Sequence, residues 1–163
     1  SFTSRDENTF HFHAYILKEF NNRWFLVGRR RKTAPISNLA LDRIIAVDFD
    51  FQAEYLEENF DAEKFYKNVV GVTVNSGLQP RKVELKIDRV NAPYVLTKPL
   101  HNSQRLIKTN EDGSVIIHLF LIENYELHRL LLGFGSGLEV ISPERLRNEM
   151  RGNLKTCLKQ YEK

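Results

Sequence analysis

Cysteine, methionine and tryptophan occur once each in these 163 residues, and glycine and proline are sparse at eight and five. A lone Cys157 excludes an internal disulfide framework, and with no CxxC or Cys/His grouping there is no basis for a structural zinc of that type. No run approaches the roughly 20 apolar residues that span a bilayer. The opening SFTSRDENTF lacks the charged-then-apolar order of a signal peptide. These absences point to a soluble chain in a reducing compartment. The expectation is a cytoplasmic location with no membrane partner.

Catalytic patterns are as scarce. Cys157 has no activating neighbours in sequence, and the carboxylates from Glu54 to Asp61 have no Ser or His context that would make them an acid/base pair. His11 and His13 share a strand face, but two ligands fall short of the three or four a metal requires, and they read as polar residues on a solvated face. The glycines of Gly133-Phe134-Gly135-Ser136-Gly137 follow a helical pattern and precede a strand, the reverse of a phosphate loop. They read as a helix C-cap. The chain is expected not to be an enzyme and to carry no cofactor or metal.

What is present is an ordinary globular composition, 42% hydrophobic, with a formal net charge of +3. That excess permits an anionic partner without holding a chain on DNA against salt. The signs are segregated: Arg29, Arg30, Arg31 and Lys32 are contiguous, whereas 48–63 is strongly acidic.

Two halves follow different rules. In residues 1–75, TFHFHAYILKEF and RWFLVGRRR flank Asn21-Asn22, a two-residue hairpin turn. ISNLALDRIIAVDFDF predicts one or two further strands, with a bend at Asp42-Arg43. Four or five short strands in about 50 residues predict a small antiparallel barrel of Sm or SH3-like type. A linker helix follows, capped by Asp61, anchored by Phe65 and Tyr66 and stopped by Gly71.

Residues 76–163 predict a second, α+β domain. KVELKID alternates like a half-buried strand; RVNAPYVLTKPL is a helix or a helical turn interrupted by prolines; SQRLIKT and SVIIHLFLI form a hairpin around Glu111-Asp112-Gly113. Inside the second of these strands, His118 reads as a satisfied or sheet-surface histidine. Asn124 caps a helix with Leu127, Leu130, Leu131 and Phe134 on one face, and LEVI returns as a strand. The β-α-β-β-α-β order is that of ferredoxin-like folds. A last helix opens at Ser142-Pro143, with Ser as N-cap, and carries the stripe Leu146, Met150, Leu154, Leu158 and Tyr161. That stripe calls for burial, on its own domain or on a second copy.

The stretch RWFLVGRRRK places Arg23, Phe25, Val27, Arg29 and Arg31 on one side and Trp24, Leu26, Gly28, Arg30 and Lys32 on the other. Alternation alone leaves open which side is buried. Arginine beside aromatics is the equipment of a single-strand nucleic-acid or nucleotide site, and it is also how a strand ends in a solvated basic loop.

Trp24-Phe25-Leu26, with HAYIL before the hairpin, NLALDRI and FDAEKFYKNVVGV in order, resembles the WYL domain. The second half, ending LHRLLLGFGSGLEVISPERLRNEM, is similar to the WCX extension that often follows it. The resemblance implies an Sm-like sensory barrel of a bacterial transcriptional regulator, whose duplex-DNA binding belongs to an N-terminal helix-turn-helix. No such motif precedes residue 1, so the chain is expected to be the sensory and dimerising part of a longer regulator, or a stand-alone copy.

By motif position the resemblance implies a ligand pocket of His13, Tyr15, Phe25 and Arg43, to which Trp24, Arg29 and Arg31 are added from the basic strand. The tripeptide's tyrosine is Phe25 here, and the arginine common before LDRI is Ala40. The implied ligand is single-stranded nucleic acid or a nucleotide, and the implied assembly a homodimer. The competing reading is an oligomerisation module with no nucleic-acid ligand.

Overall fold

The computed structural model describes residues 7–75 and 77–162. The chain divides into two compact units between Phe65 and Tyr66.

In the first unit, β1 (His13–Phe20) and β2 (Arg23–Arg29) form a hairpin, and β3 (Ser37–Ala40) pairs with the other edge of β2, giving the order β1-β2-β3. Asn21 and Asn22 have φ of 52° and 60°. Both central residues of the tightest hairpin turn need a positive φ, and asparagine tolerates it. In β2 the side of Phe25 and Val27 turns inward, with Val27 fully buried, while Trp24 stays 51% exposed.

Here the expected barrel is corrected. Among the described residues the sheet has three strands and does not close. The apolar alternation beyond β3 does not pair: Ile45, Val47, Phe49 and Phe51 are 76, 73, 84 and 92% exposed. Alternation gives a strand two faces but no partner for its backbone. The run then ends in a turn, where the Asp50 carboxylate accepts the N–H groups of Gln52 and Ala53. The short helix α1 (Ala62–Tyr66) starts where expected, the Asp61 carboxylate accepting Lys64 N–H at 2.9 Å. It stops five residues short of Gly71.

The second unit contains β4 (Arg81–Ile87), α2 (Ala92–Thr97), β5 (Arg105–Thr109), β6 (Val115–Leu121), α3 (Tyr125–Leu132), β7 (Leu138–Ser142) and α4 (Glu144–Lys159). Its sheet has the order β5-β6-β4-β7, every neighbouring pair antiparallel, which is the expected β-α-β-β-α-β path. Val83, Leu85 and Ile87 of β4 and Val115, Ile117, Leu119 and Leu121 of β6 point into one core with Val95, Leu127, Leu131 and Leu146. Burying each such side chain contributes about 1.5–3 kcal/mol. On the other sheet face His118 pairs with Glu84, its cross-strand neighbour.

Residues 66–75 fold with this second unit, not with the hairpin. Ile122 N–H donates to the Asn68 carbonyl at 2.8 Å, and the Asn124 amide donates to the carbonyls of Val70 and Thr73, both at 2.8 Å. That stitching puts the division ten residues before the 75/76 boundary read from the chain's turn signals. Asn124 also caps α3, its side-chain oxygen accepting Leu127 N–H. Gly71, at φ 80°, passes so near the Glu126 side chain that a Cβ would lie 2.6 Å from its Cγ.

The N-cap of α4 is Pro143, not Ser142, and no side chain caps it. Its apolar stripe is buried at Leu146 and Met150, but Leu154, Leu158 and Tyr161 are 48, 57 and 85% exposed. Among the described residues no helix is long and apolar enough to cross a membrane.

Candidate ligand site

The first unit's sheet is irregular at one place. Ala14 pairs with Gly28 and Ile16 with Val27, so Tyr15 is an extra residue, a β-bulge. Gly28 makes the bulge possible: a Cβ there would lie 2.0 Å from the His13 carbonyl oxygen. Bulges re-aim side chains. Here the result is that His13, Tyr15 and Arg29, from opposite strands, converge on the segment 55–60.

Each side chain of that trio meets the segment. The His13 Nδ1 accepts Leu56 N–H at 3.1 Å, which leaves Nε2 as a donor in the neutral ring. The Tyr55 hydroxyl donates to the Ala14 carbonyl at 2.6 Å, and its ring lies 5.9 Å from the His13 ring. The Tyr15 ring stacks on Phe60 at 5.5 Å, and Phe60 meets Phe65 edge-on at 5.2 Å. The Arg29 guanidinium, only 18% exposed, pairs with Glu58 at 3.1 Å and donates to the Lys32 carbonyl at 2.8 Å.

Two polar atoms in this cluster, the Tyr15 hydroxyl and Arg29 Nε, are buried without a well-formed hydrogen bond, although the Arg29 side chain lies within reach of the phenol. Burial pushes the Tyr15 phenol above its ordinary pKa; the Glu58 charge adds to the rise, while the Arg29 charge and its hydrogen bond to the phenol oppose it. A bare buried donor costs on the order of 1–3 kcal/mol. The niche thus holds one cation, one phenol, an imidazole donor and an aromatic face. That set suits a planar, anionic ligand, and a carboxylate of the chain already sits on the cation.

The expected residues divide between the two ends of the sheet. Arg43 lies on the exposed 3₁₀ turn after β3, beside the Arg23–Asp42 ion pair at the start of β2. Trp24, also at that end, points outward; at about 3.4 Å per residue it is about 17 Å along the strand from Arg29. Phe25 is half-buried on the inner face, and Arg31 is exposed in the loop after β2. His13, Tyr15 and Arg29 therefore come together, whereas Trp24, Arg31 and Arg43 stand apart from them.

Glu58 and Phe60 were not expected. Their stretch reads as a solvated acidic run, and only the tertiary path brings it back over β1. Arg30 was also missed, though its guanidinium lies 3.6 Å over the Phe10 ring. His11, read with His13 as part of a solvated face, is exposed and pairs there with Asp50 at 3.1 Å.

The family model of the WCX domain matches residues 79–158, the stretch that runs from just before β4 to the last turn of α4. No curated protein matches the chain. Among solved structures, proteasome accessory factor B/C (PafBC) of Arthrobacter aurescens is similar at 18% identity and a TM-score of 0.45, over 93% of this chain and 22% of that one. The chain thus spans about a fifth of the length of that protein.

Proposed function

We propose that the chain is the sensory part of a transcriptional regulator, a non-enzymatic and cytoplasmic protein whose first unit binds a phosphate-bearing ligand, short single-stranded nucleic acid or a nucleotide. One observation carries the reading. Arg29 and Tyr15 are held side by side in a half-buried niche, each with a polar atom in no well-formed hydrogen bond, beside the stacked rings of Tyr15 and Phe60. A phosphate takes charge-assisted hydrogen bonds from arginine, and a base stacks on an aromatic face. The WCX match over residues 79–158 supports the second half of the family resemblance. Specific reading of duplex DNA is assigned to a helix-turn-helix, which none of the described elements forms.

Glu58 makes the site self-occupied. A ligand phosphate gains Arg29 only by displacing that carboxylate, so affinity is the difference between two anions on one cation. The test is fluorescence anisotropy with labelled single-stranded DNA and RNA across a salt series. Saturable binding is expected, its logarithm falling linearly with log salt. Arg29→Ala should weaken it about tenfold or more, and Glu58→Gln should strengthen it, since a neutral amide competes poorly for a guanidinium. Absence of binding at low salt in both the native chain and Glu58→Gln would refute the reading.

The second reading, self-association without a nucleic-acid ligand, is favoured by α4. Leu154 and Leu158 line an open apolar groove of about 350 Å³ with Leu131, Leu138 and Met150. A second copy's stripe has the right chemistry to cover it, and a homodimer is accordingly proposed for the regulator. If ligand binding favours one arrangement of two copies, it shifts their equilibrium.

A further inference from the structure

We propose that Glu123, His128 and Glu149, all in the second unit, form a binding site for one divalent transition-metal ion, with zinc as the probe. Glu123 lies between β6 and α3, His128 on α3 and Glu149 on α4. Their ligand atoms, one imidazole nitrogen and an oxygen from each carboxylate, lie within 4.8 Å of one another. Donors bound to one zinc at about 2.0–2.2 Å in tetrahedral geometry stand roughly 3.4 Å apart, so a modest inward turn of the half-exposed His128 and Glu149 side chains completes the triad.

A second observation points the same way. The Glu123 side chain is 6% exposed, yet its Oε1 has no hydrogen-bond partner. A buried carboxylate oxygen without a donor is costly, and an ion is among the things that satisfy one. The neighbouring ion pairs do not use this oxygen. Arg145 pairs with Glu123 through Oε2 and with Glu149 through Oε1 at 2.9 Å. That leaves Glu123 Oε1, and it leaves Glu149 Oε2, which faces His128 Nε2 at 3.5 Å. Those two oxygens and the nitrogen would be the donor set. With a neutral imidazole, two carboxylates and one guanidinium leave one uncompensated negative charge.

Arg145 therefore need not leave. It would grip the carboxylates by their other oxygens, which is how outer partners orient metal ligands. An imidazole in the set favours zinc, copper, nickel or iron over magnesium and calcium. His128 and Glu149 are partly open to solvent, so water can complete the coordination. The bound ion would tie the β6–α3 connection and α3 to α4.

The experiment is calorimetric titration of chelator-stripped protein with zinc chloride, run beside a melting curve with zinc and with magnesium. One zinc per chain is expected, with a Tm rise that magnesium does not produce. His128→Ala and Glu149→Gln, both at partly exposed positions, should each lower the affinity about tenfold or more without loss of secondary structure. Cys157 is exposed on the same helix, eight residues beyond Glu149 and about 12 Å away. Cys157→Ser should therefore bind zinc like the native chain, and cobalt in place of zinc should show no thiolate charge-transfer band. Zinc binding that survives both triad variants, or that is lost in Cys157→Ser, overturns the proposal, as does no binding at all.

Discussion

The two units bury hydrophobic residues on very different terms. The second has a core cluster of Val83, Leu85, Ile87, Val95, Ile117, Leu119 and their neighbours, nearly all at zero exposure. Among the described residues the first has Val27 and Ala40 as its buried hydrophobics, while Ile45, Val47, Phe49 and Phe51 stand in solvent. Both contain alternating apolar runs. Alternation becomes burial in β4 and β6 because helices α3 and α4 supply an opposing surface. Residues 44–51 lack one among the described residues. The second unit thus holds itself together, whereas the first depends more on polar links such as Arg29–Glu58 and on the ring contacts of Tyr15, Phe60 and Phe65.

The largest expected effect lies in the self-sufficient unit. Leu85→Ala should destabilise it by about 2–5 kcal/mol, since a fully buried leucine in the central strand leaves a cavity. Urea unfolding followed by circular dichroism measures this, and a loss near zero would mean the core is not formed as described.

Next comes Gly28→Ala. Its new methyl would meet the His13 carbonyl, so either the bulge or the strand pairing must give. A loss of about 1–3 kcal/mol is expected in the first unit, together with loss of the Tyr15 niche. The fluorescence of Trp24, the chain's sole tryptophan, reports it in the same unit.

Phe51→Ser probes the exposed apolar row of the first unit. At 92% exposure it should change stability by no more than about 0.5 kcal/mol, measured by the same unfolding curve. A cost several times larger would mean that the apolar row is covered in solution.

The smallest effect is a pH dependence. Burial holds the His101 imidazole below its ordinary value of 6.5, and its Nδ1 already accepts Ser103 N–H at 3.1 Å. The unfolded chain therefore takes the proton more readily. Stability from this group is fully present above the unfolded value and is lost as pH falls through it toward the lower folded value. The Tm should drop slightly on going from about pH 7.5 to about pH 5, and less in His101→Gln.

How much of this was legible in the chain follows the same divide. The second unit's strands, the hairpin at Glu111-Asp112-Gly113 and the Asn124 cap were readable because local pattern and tertiary burial agree there. The Asn21-Asn22 turn was readable because few residues tolerate positive φ. The run after β3 was misread as strand, since no periodicity reveals whether a partner edge exists. His13, Tyr15 and Arg29 were named in advance by motif and charge. Glu58 and Phe60 were not, because their role depends on where a loop returns in space. Glu123, His128 and Glu149, far apart in sequence, had no shared motif.

Helix α4 has 16 residues, about 24 Å of rod, but its buried anchors fall within the first seven. The remainder contains Gly152 and is too short to hold itself helical in isolation. Its amides should therefore exchange with heavy water along a gradient, slow near Met150 and progressively faster toward Lys159. The steepness of that gradient is a built-in gauge: whatever covers Leu154 and Leu158 will flatten it, whether or not the occupant has been identified.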